Sequence, residues 1–298
     1  MKQPTKQRVP PPPERDAPQK TLERVISKAG LGSRTEARSW IHAGRVAVNG
    51  RVIENPDHWV TFDQDHVTFD GRPLTRQKRL YLLLYKPTGY LTTYKDPEGR
   101  PTVYDLLTGI EQFISPVGRL DQDSSGLLLL TNDTQLAERL TNPEFHVAKT
   151  YQVKCHPPVS EESVAALRQG VLLDDGPTRP AEVRRLMDSE THSFLEIIIT
   201  EGRNRQVRRM VEAVGSRVEK LVRTRIGSLT IGDLPVGQVR ELSLEELRML
   251  KQESSDGKDS QQDAGHADRS SRVAPVVRAK PGRDGSGGAR AGKRRGPA

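Results

Sequence analysis

Apolar residues at helical spacing open the readable part of the chain. Leu22, Val25, Ile26 and Ala29 recur on one face, and Gly30 and Gly32 stop the run. Ser33 with Glu36 forms a capping-box pattern and predicts a second helix through Ala37, Trp40 and Ile41, ended by Gly44. Asn49-Gly50 then sits between the alternating apolar positions Val46, Val48 and Val52, the strongest short-range hairpin signal. Two short helices with basic outward faces and a hairpin make a small unit over residues 20–75, within the size range that folds alone. Residues 71–79 are polar and basic and read as a linker.

From Leu80 the pattern changes. Residues 80–85 are an apolar strand closed by Lys86-Pro87-Thr88-Gly89, and residues 90–102 form a polar loop. Strands are expected over 113–117 and 127–131, the latter a run of leucines with the continuous apolar character of a fully buried strand. Asn132-Asp133 caps a helix carrying Leu136, Ala137 and Leu140. A strand over 146–153, a helix ending at Gly170, a turn at Asp174-Asp175-Gly176-Pro177 and two antiparallel strands over 181–187 and 194–200 follow. Residues 206–213 are helical with Val207, Met210 and Val211 on one face. Strands over 218–226 and 229–231 lead to a last helix capped by Ser243 and Glu246. Strands and helices intersperse without a repeating β-α unit, so the expected class is α+β, with a mixed or antiparallel sheet and flanking helices over residues 80–250.

Composition adds two tails to this picture. Aromatic residues are 4% of the 298, while Gly and Pro number 25 and 21, which marks part of the chain as unable to build a core. Residues 1–19, with Pro10 to Pro13, read as a disordered leader and 251–298 as a disordered basic tail. From Arg269 onward nine Arg or Lys face only Asp284, a surplus of eight that equals the whole formal net charge of +8. Any polyanion-binding surface on the folded part must therefore arise from local clustering. Two clusters exist. Arg24, Lys28, Arg34, Arg38, Arg45 and Arg51 are interrupted only by Glu36, and eight basic residues lie between Glu201 and Arg225.

Cys155 is the single cysteine, which excludes an intramolecular disulfide framework and a cysteine-based zinc site. The seven histidines show no ligand spacing, and no Gly-rich loop leads into Lys-Ser or Lys-Thr, so neither a metal nor a nucleotide cofactor is expected. No stretch is long and apolar enough to cross a bilayer, and a cytoplasmic protein is expected.

Candidate chemistry concentrates in residues 118–133, where Gly118-Arg119-Leu120-Asp121-Gln122-Asp123-Ser124-Ser125-Gly126 runs into the leucines. A carboxylate at the rim of a core, two residues after an arginine, can be held ionised and aimed as a nucleophile or base. Spacing alone favours a polar turn, since Asp, Ser and Gly are ordinary turn residues. The segment resembles the signature of the RsuA/RluB/RluE/RluF family of ribosomal RNA pseudouridine synthases. Lys149-Thr150-Tyr151 and the run from Glu201-Gly202-Arg203 through Gln206-Val207-Arg208-Arg209-Met210 match in the family's order. Residues Gly32-Ser33-Arg34 to Val48-Asn49-Gly50 resemble an RNA-binding module first described in a small-subunit ribosomal protein.

The resemblance implies a catalytic domain with a bent mixed sheet and the active site in a cleft across it. It implies Asp121 as the catalytic carboxylate, Tyr151 against the target base and Arg208 paired with Asp121. Arg24, Lys28, Arg34, Arg38, Arg45, Arg119, Arg203, Arg205 and Arg209 are the expected RNA contacts, to phosphate and helix shape rather than base edges. The expected partner is ribosomal RNA, with the Arg- and Gly-containing tail and Arg203-Asn204-Arg205 favouring the large subunit, and the expected state is a monomer. Small-subunit RNA and a non-catalytic assembly factor are the alternatives.

Overall fold

The computed structural model describes residues 19–256 apart from 63, 76 and 111, so residues 1–18 of the expected leader and 257–298 of the expected tail lie outside the described residues. The amino-terminal module packs α1 (Leu22–Lys28) and α2 (Arg34–His42) over a four-stranded sheet. Ser33 caps α2 reciprocally with Glu36. The strands Val46–Val48 and Arg51–Val52 pair through Asn49 and Gly50, both at positive φ (50° and 79°), the conformation for which Asn-Gly is selected. A second hairpin, Val67–Phe69 with Arg72–Pro73 across Asp70-Gly71, extends the sheet. Residues 72 and 73 were expected in the linker, and the Asp-Gly turn that places them in a strand carries the same kind of signal as Asn-Gly. Leu22, Ile26, Ile41 and Val46 are fully buried in the module's own core.

The second unit is built on a nine-stranded sheet. Its main path runs Glu182–Asp188, Ser193–Ile199, Lys149–His156, Arg217–Ile226, Ser125–Thr131, Tyr81–Lys86 and Val239–Glu241, with short strands Leu229–Thr230 and Ser115–Pro116 on its flanks. Only Arg217–Ile226 beside Ser125–Thr131 is parallel; the other pairings are antiparallel. The class is therefore α+β with a mixed sheet. Leu127 through Leu130 are each 0% exposed, which at roughly 1.5–3 kcal/mol per buried leucine anchors the strand leaving the Asp121 loop. Alternate leucines feed two cores. Leu127 and Leu129 pack with Leu136 and Leu140 of α3 (Thr134–Thr141), while Leu128 and Leu130 pack with Val103, Ile114 and Leu120.

A third core joins α4 (Glu161–Gln169) and α5 (Gln206–Ala213) to the strands Lys149–His156 and Ser193–Ile199. The sheet is seamed at its parallel pair by Gly126, at φ 112°. A Cβ there would lie 2.2 Å from the Arg223 carbonyl oxygen. Three boundaries differ from expectation. The strand expected at 146 begins at Lys149, because His146 adopts a left-handed φ of 52°. The strand expected over 113–117 is reduced to Ser115–Pro116. The closing helix α6 runs Leu244–Asp256, six residues into the expected tail.

Candidate active site

The loop carrying Asp121 is held from beneath by Lys86, the last residue of its strand and 0% exposed. Its ammonium donates to the carbonyls of Pro87 (3.0 Å), Asp121 (3.0 Å) and Ser124 (2.8 Å). Burial pulls its pKa down to about 8, against the opposing attraction of Asp121 and Asp123. Thr92 Oγ1 donates to the Leu120 carbonyl at 2.7 Å, and Gly89 N–H donates to the Gln122 carbonyl at 2.8 Å. The backbone around Asp121 is thus fixed by donors from residues 86–92. Lys86 had been read only as strand-closing turn chemistry; a lysine ending an apolar strand was the available signal.

Asp121 and Tyr151 line one cleft of about 370 Å³ with Arg119, Arg203, Arg205, Ile199, Val207 and Leu221. Tyr151 sits in the strand between Ile197 and Arg223 and packs against two of the apolar cores. A larger hollow of about 790 Å³ follows the sheet edge at Val239–Glu241, but the carboxylate, phenol and guanidinium groups converge in the smaller cleft, and convergent polar groups are the better mark of a site.

The cation beside Asp121 is not Arg208. Arg205 Nη1 lies 3.6 Å from Asp121 Oδ2, and the same guanidinium donates to both Asp123 oxygens at 3.2 and 3.1 Å. Arg208 is buried one turn along α5 and donates to the carbonyls of Asp123 (3.0 Å) and Val218 (3.2 Å) and to Ser124 Oγ (3.2 Å). It therefore fastens the loop to α5 instead of pairing with Asp121. Burial raises the Asp123 carboxyl, and Arg205 followed by Arg208 outweighs it, leaving Asp123 below the usual carboxylate range. Arg205 is the N-cap of α5 at φ 47°, a left-handed backbone uncommon for a side chain of this size. That conformation is what turns its guanidinium back toward the loop.

Behind Tyr151 lie two further buried cations, Lys149 (9% exposed) and Arg223 (4%). Arg223 Nε donates to the Leu127 carbonyl at 2.9 Å and Nη1 to the Arg119 carbonyl at 3.4 Å, so it too grips both ends of the loop. Burial, assisted by Arg223, lowers Lys149 to about 8.

The expected RNA contacts divide. Arg119 lines the cleft, and Arg24 and Lys28 occupy exposed positions on α1, where partial desolvation of the ammonium by its neighbours and then the charge of Lys20 bring Lys28 down to about 8. Others are engaged inside the chain. Arg34 and Arg38 both hold the buried Glu23 carboxylate, which lies one residue outside the stretch that had seemed to contain only Glu36. Arg45 pairs with Asp70 and lies 4.6 Å over Phe69. Arg209 is bidentate to Asp175, and Arg203 reaches Asp175 and the carbonyls of Gly176 and Pro177. These two brace the hairpin of Leu172–Leu173 and Gly176–Pro177 rather than standing free for phosphate.

A two-helix module with a hairpin sheet thus precedes a mixed sheet whose central loop places an aspartate in one cleft with a tyrosine and an arginine. The sequence profile described as RNA pseudouridylate synthase matches residues 80–213, and that of the S4 domain matches residues 21–67. The chain is 40% identical over 241 residues to ribosomal large subunit pseudouridine synthase B of Bacillus subtilis, covering 80% of this chain and 98% of that one. It is 38% identical to the protein of the same name in Escherichia coli O157:H7, over 78% of this chain and 82% of the other. A solved pseudouridylate synthase structure superimposes with a TM-score of 0.57 at 32% identity, over 77% of this chain and 99% of that chain. The chain belongs to the RNA pseudouridylate synthase family and is an isomerase of that kind. No helix among the described residues is long and apolar enough to cross a membrane.

Proposed function

We propose that the chain converts a specific uridine of large-subunit ribosomal RNA to pseudouridine, with Asp121 as the catalytic carboxylate. The reaction breaks the N1–C1′ bond, turns the uracil over, joins C5 to C1′ and moves the C5 proton away while N1 regains one. No electrons are exchanged. Convergence of Asp121, Tyr151 and Arg205 on one cleft is the observation that carries this reading. Asp121 starts the glycosidic cleavage at C1′ or at the C2′ proton, Arg205 orients its carboxylate, and Tyr151 faces the base and the C5 proton. Arg208, with Lys86, holds the loop in position.

A stacked uridine is out of reach of such a cleft, so the nucleotide enters flipped out, at a cost of a few kcal/mol. The S4-like module and the exposed cations Arg24, Lys28 and Arg119 offset that cost by gripping flanking backbone. The large subunit is favoured by the names of the relatives matched over most of their length. Action as a monomer belongs to the same proposal, and a ribosomal RNA substrate supports a cytoplasmic site of action.

The test is pseudouridine mapping on ribosomal RNA with purified variants. Asp121→Asn is expected to abolish product while RNA binding and the melting temperature stay at wild-type values; residual turnover near the wild-type rate sinks the assignment. Arg205→Met is expected to slow turnover by on the order of 10²-fold without unfolding, whereas Arg208→Met is expected to lower stability as well.

A further inference from the structure

The far end of the sheet brings together three groups that the reaction does not use. His156 closes the strand Lys149–His156, His192 lies immediately before the strand Ser193–Ile199, and Glu219 is near the start of Arg217–Ile226. Their ligand atoms all lie within 4.8 Å of one another. Sequence spacing could not reveal this, since the residues are 36 and 27 positions apart. The site is five residues along the strand from Tyr151, about 17 Å at the rise of an extended chain. From this arrangement we infer that His156, His192 and Glu219 form a binding site for a divalent transition metal of the zinc type, separate from the Asp121 cleft.

Both imidazoles are held through Thr191. His156 Nδ1 lies 2.7 Å from the backbone oxygen of Thr191. A carbonyl only accepts, so Nδ1 holds the proton and Nε2 keeps its lone pair for a ligand. His192 Nδ1 lies 2.7 Å from the hydroxyl of the same Thr191, and its Nε2 lies 3.1 Å from Glu219 Oε2. When a metal takes Nε2, the ring keeps its proton on Nδ1 and donates it to Thr191 Oγ1. Thr191 thus meets both imidazoles at Nδ1, the kind of orienting contact found behind metal-bound histidines.

Glu219 is aimed there by a bulge. Lys154 is opposite Lys220 and Cys155 opposite Val218, so Glu219 is the extra residue between them and is exposed beside Lys220. Glu219 Oε2 lies 2.8 Å from Lys154 Nζ and 3.1 Å from His192 Nε2, so the carboxylate is the shared anionic centre of the cluster. Bonds of about 2.0–2.1 Å in tetrahedral geometry require donors roughly 3.3 Å apart. The His192 and Glu219 atoms already meet that spacing, and the exposed His156 ring closes the remainder by side-chain rotation. Two nitrogens and one oxygen suit zinc, cobalt or nickel over magnesium or calcium, and a fourth position stays open to water. Lys154 Nζ, 2.8 Å from the same Oε2, is the competing cation that the metal displaces. Bound metal would tie the turn before Ser193–Ile199 to the two strands beside it.

The test is titration of the chelator-treated full chain with zinc chloride alone, followed by calorimetry, with cobalt absorption reporting the ligand set. One equivalent is expected to bind with micromolar affinity. His156→Ala and His192→Ala are each expected to weaken it by about 10–100-fold, and Lys154→Met is expected to tighten it. Absence of binding at millimolar zinc, or affinity unchanged in the His156→Ala/His192→Ala double variant, overturns the site. Turnover on RNA is expected to persist in excess EDTA; its loss would overturn the separation from the catalytic cleft.

Discussion

Two regions of this molecule each bury a full charge, and they neutralise it differently. In the amino-terminal module the charge is Glu23, 1% exposed and held by the guanidinium groups of Arg34 and Arg38, which remain 55% and 45% exposed. Burial raises its carboxyl, and the two arginines bring it below the usual range. Under the Asp121 loop the charge is Lys86, and its neutralising partners are three backbone carbonyls. The contrast teaches what each solution leaves available. Ionic partners commit two arginines of the expected RNA face to a buried carboxylate. Dipolar partners fix the loop backbone and leave the Asp121 carboxylate to Arg205 and to substrate.

Lys86→Met is expected to break the comparison most severely. It strips charged donors from buried carbonyls, which costs roughly 1–3 kcal/mol, and frees the loop, slowing single turnover by on the order of 10²-fold. Chemical denaturation and rapid-quench assays measure the two effects; wild-type turnover would show that Thr92 and Gly89 alone hold the loop. Glu23→Gln is expected to cost about 1–2 kcal/mol of stability while leaving turnover at saturating RNA unchanged. It releases Arg34 and Arg38, so the fall of log affinity with log salt should steepen by between about 1 and 2. An unaltered slope would mean that these arginines never meet phosphate.

The smallest effect sharpens the electrostatics of the cleft. Lys149 titrates near 8 in the folded chain against an ordinary value of 10.5, so between those limits the unfolded chain binds more protons and this lysine makes stability rise with pH. Lys149→Met lacks that rise. Its stability relative to wild type should be highest below pH 8 and should decline as pH approaches 10.5, as read by denaturant melts across that window.

Local rules made most of the scaffold legible. Asn49-Gly50, the Ser33 and Ser243 caps and the leucine run each announce their structure through neighbours in the chain. Charges were harder to read, because their meaning depends on partners far away in sequence. Glu23 meets arginines 11 and 15 residues on. Which of Arg205 and Arg208 reaches Asp121 depends on the left-handed backbone at Arg205, which no spacing rule announces. The three ligand atoms of the far-end cluster meet only because three strands pair in one register.

Gly126 has a consequence for anyone wishing to retarget this enzyme. Its slot against the Arg223 backbone admits no side chain, so sliding Ser125–Thr131 by one residue along Arg217–Ile226 would drive the first side-chain carbon of whichever neighbour arrived there into a carbonyl. Redesign of substrate choice on this scaffold must therefore keep a glycine at this point of the seam, while the outward-facing letters of the Asp121 loop stay open to exchange.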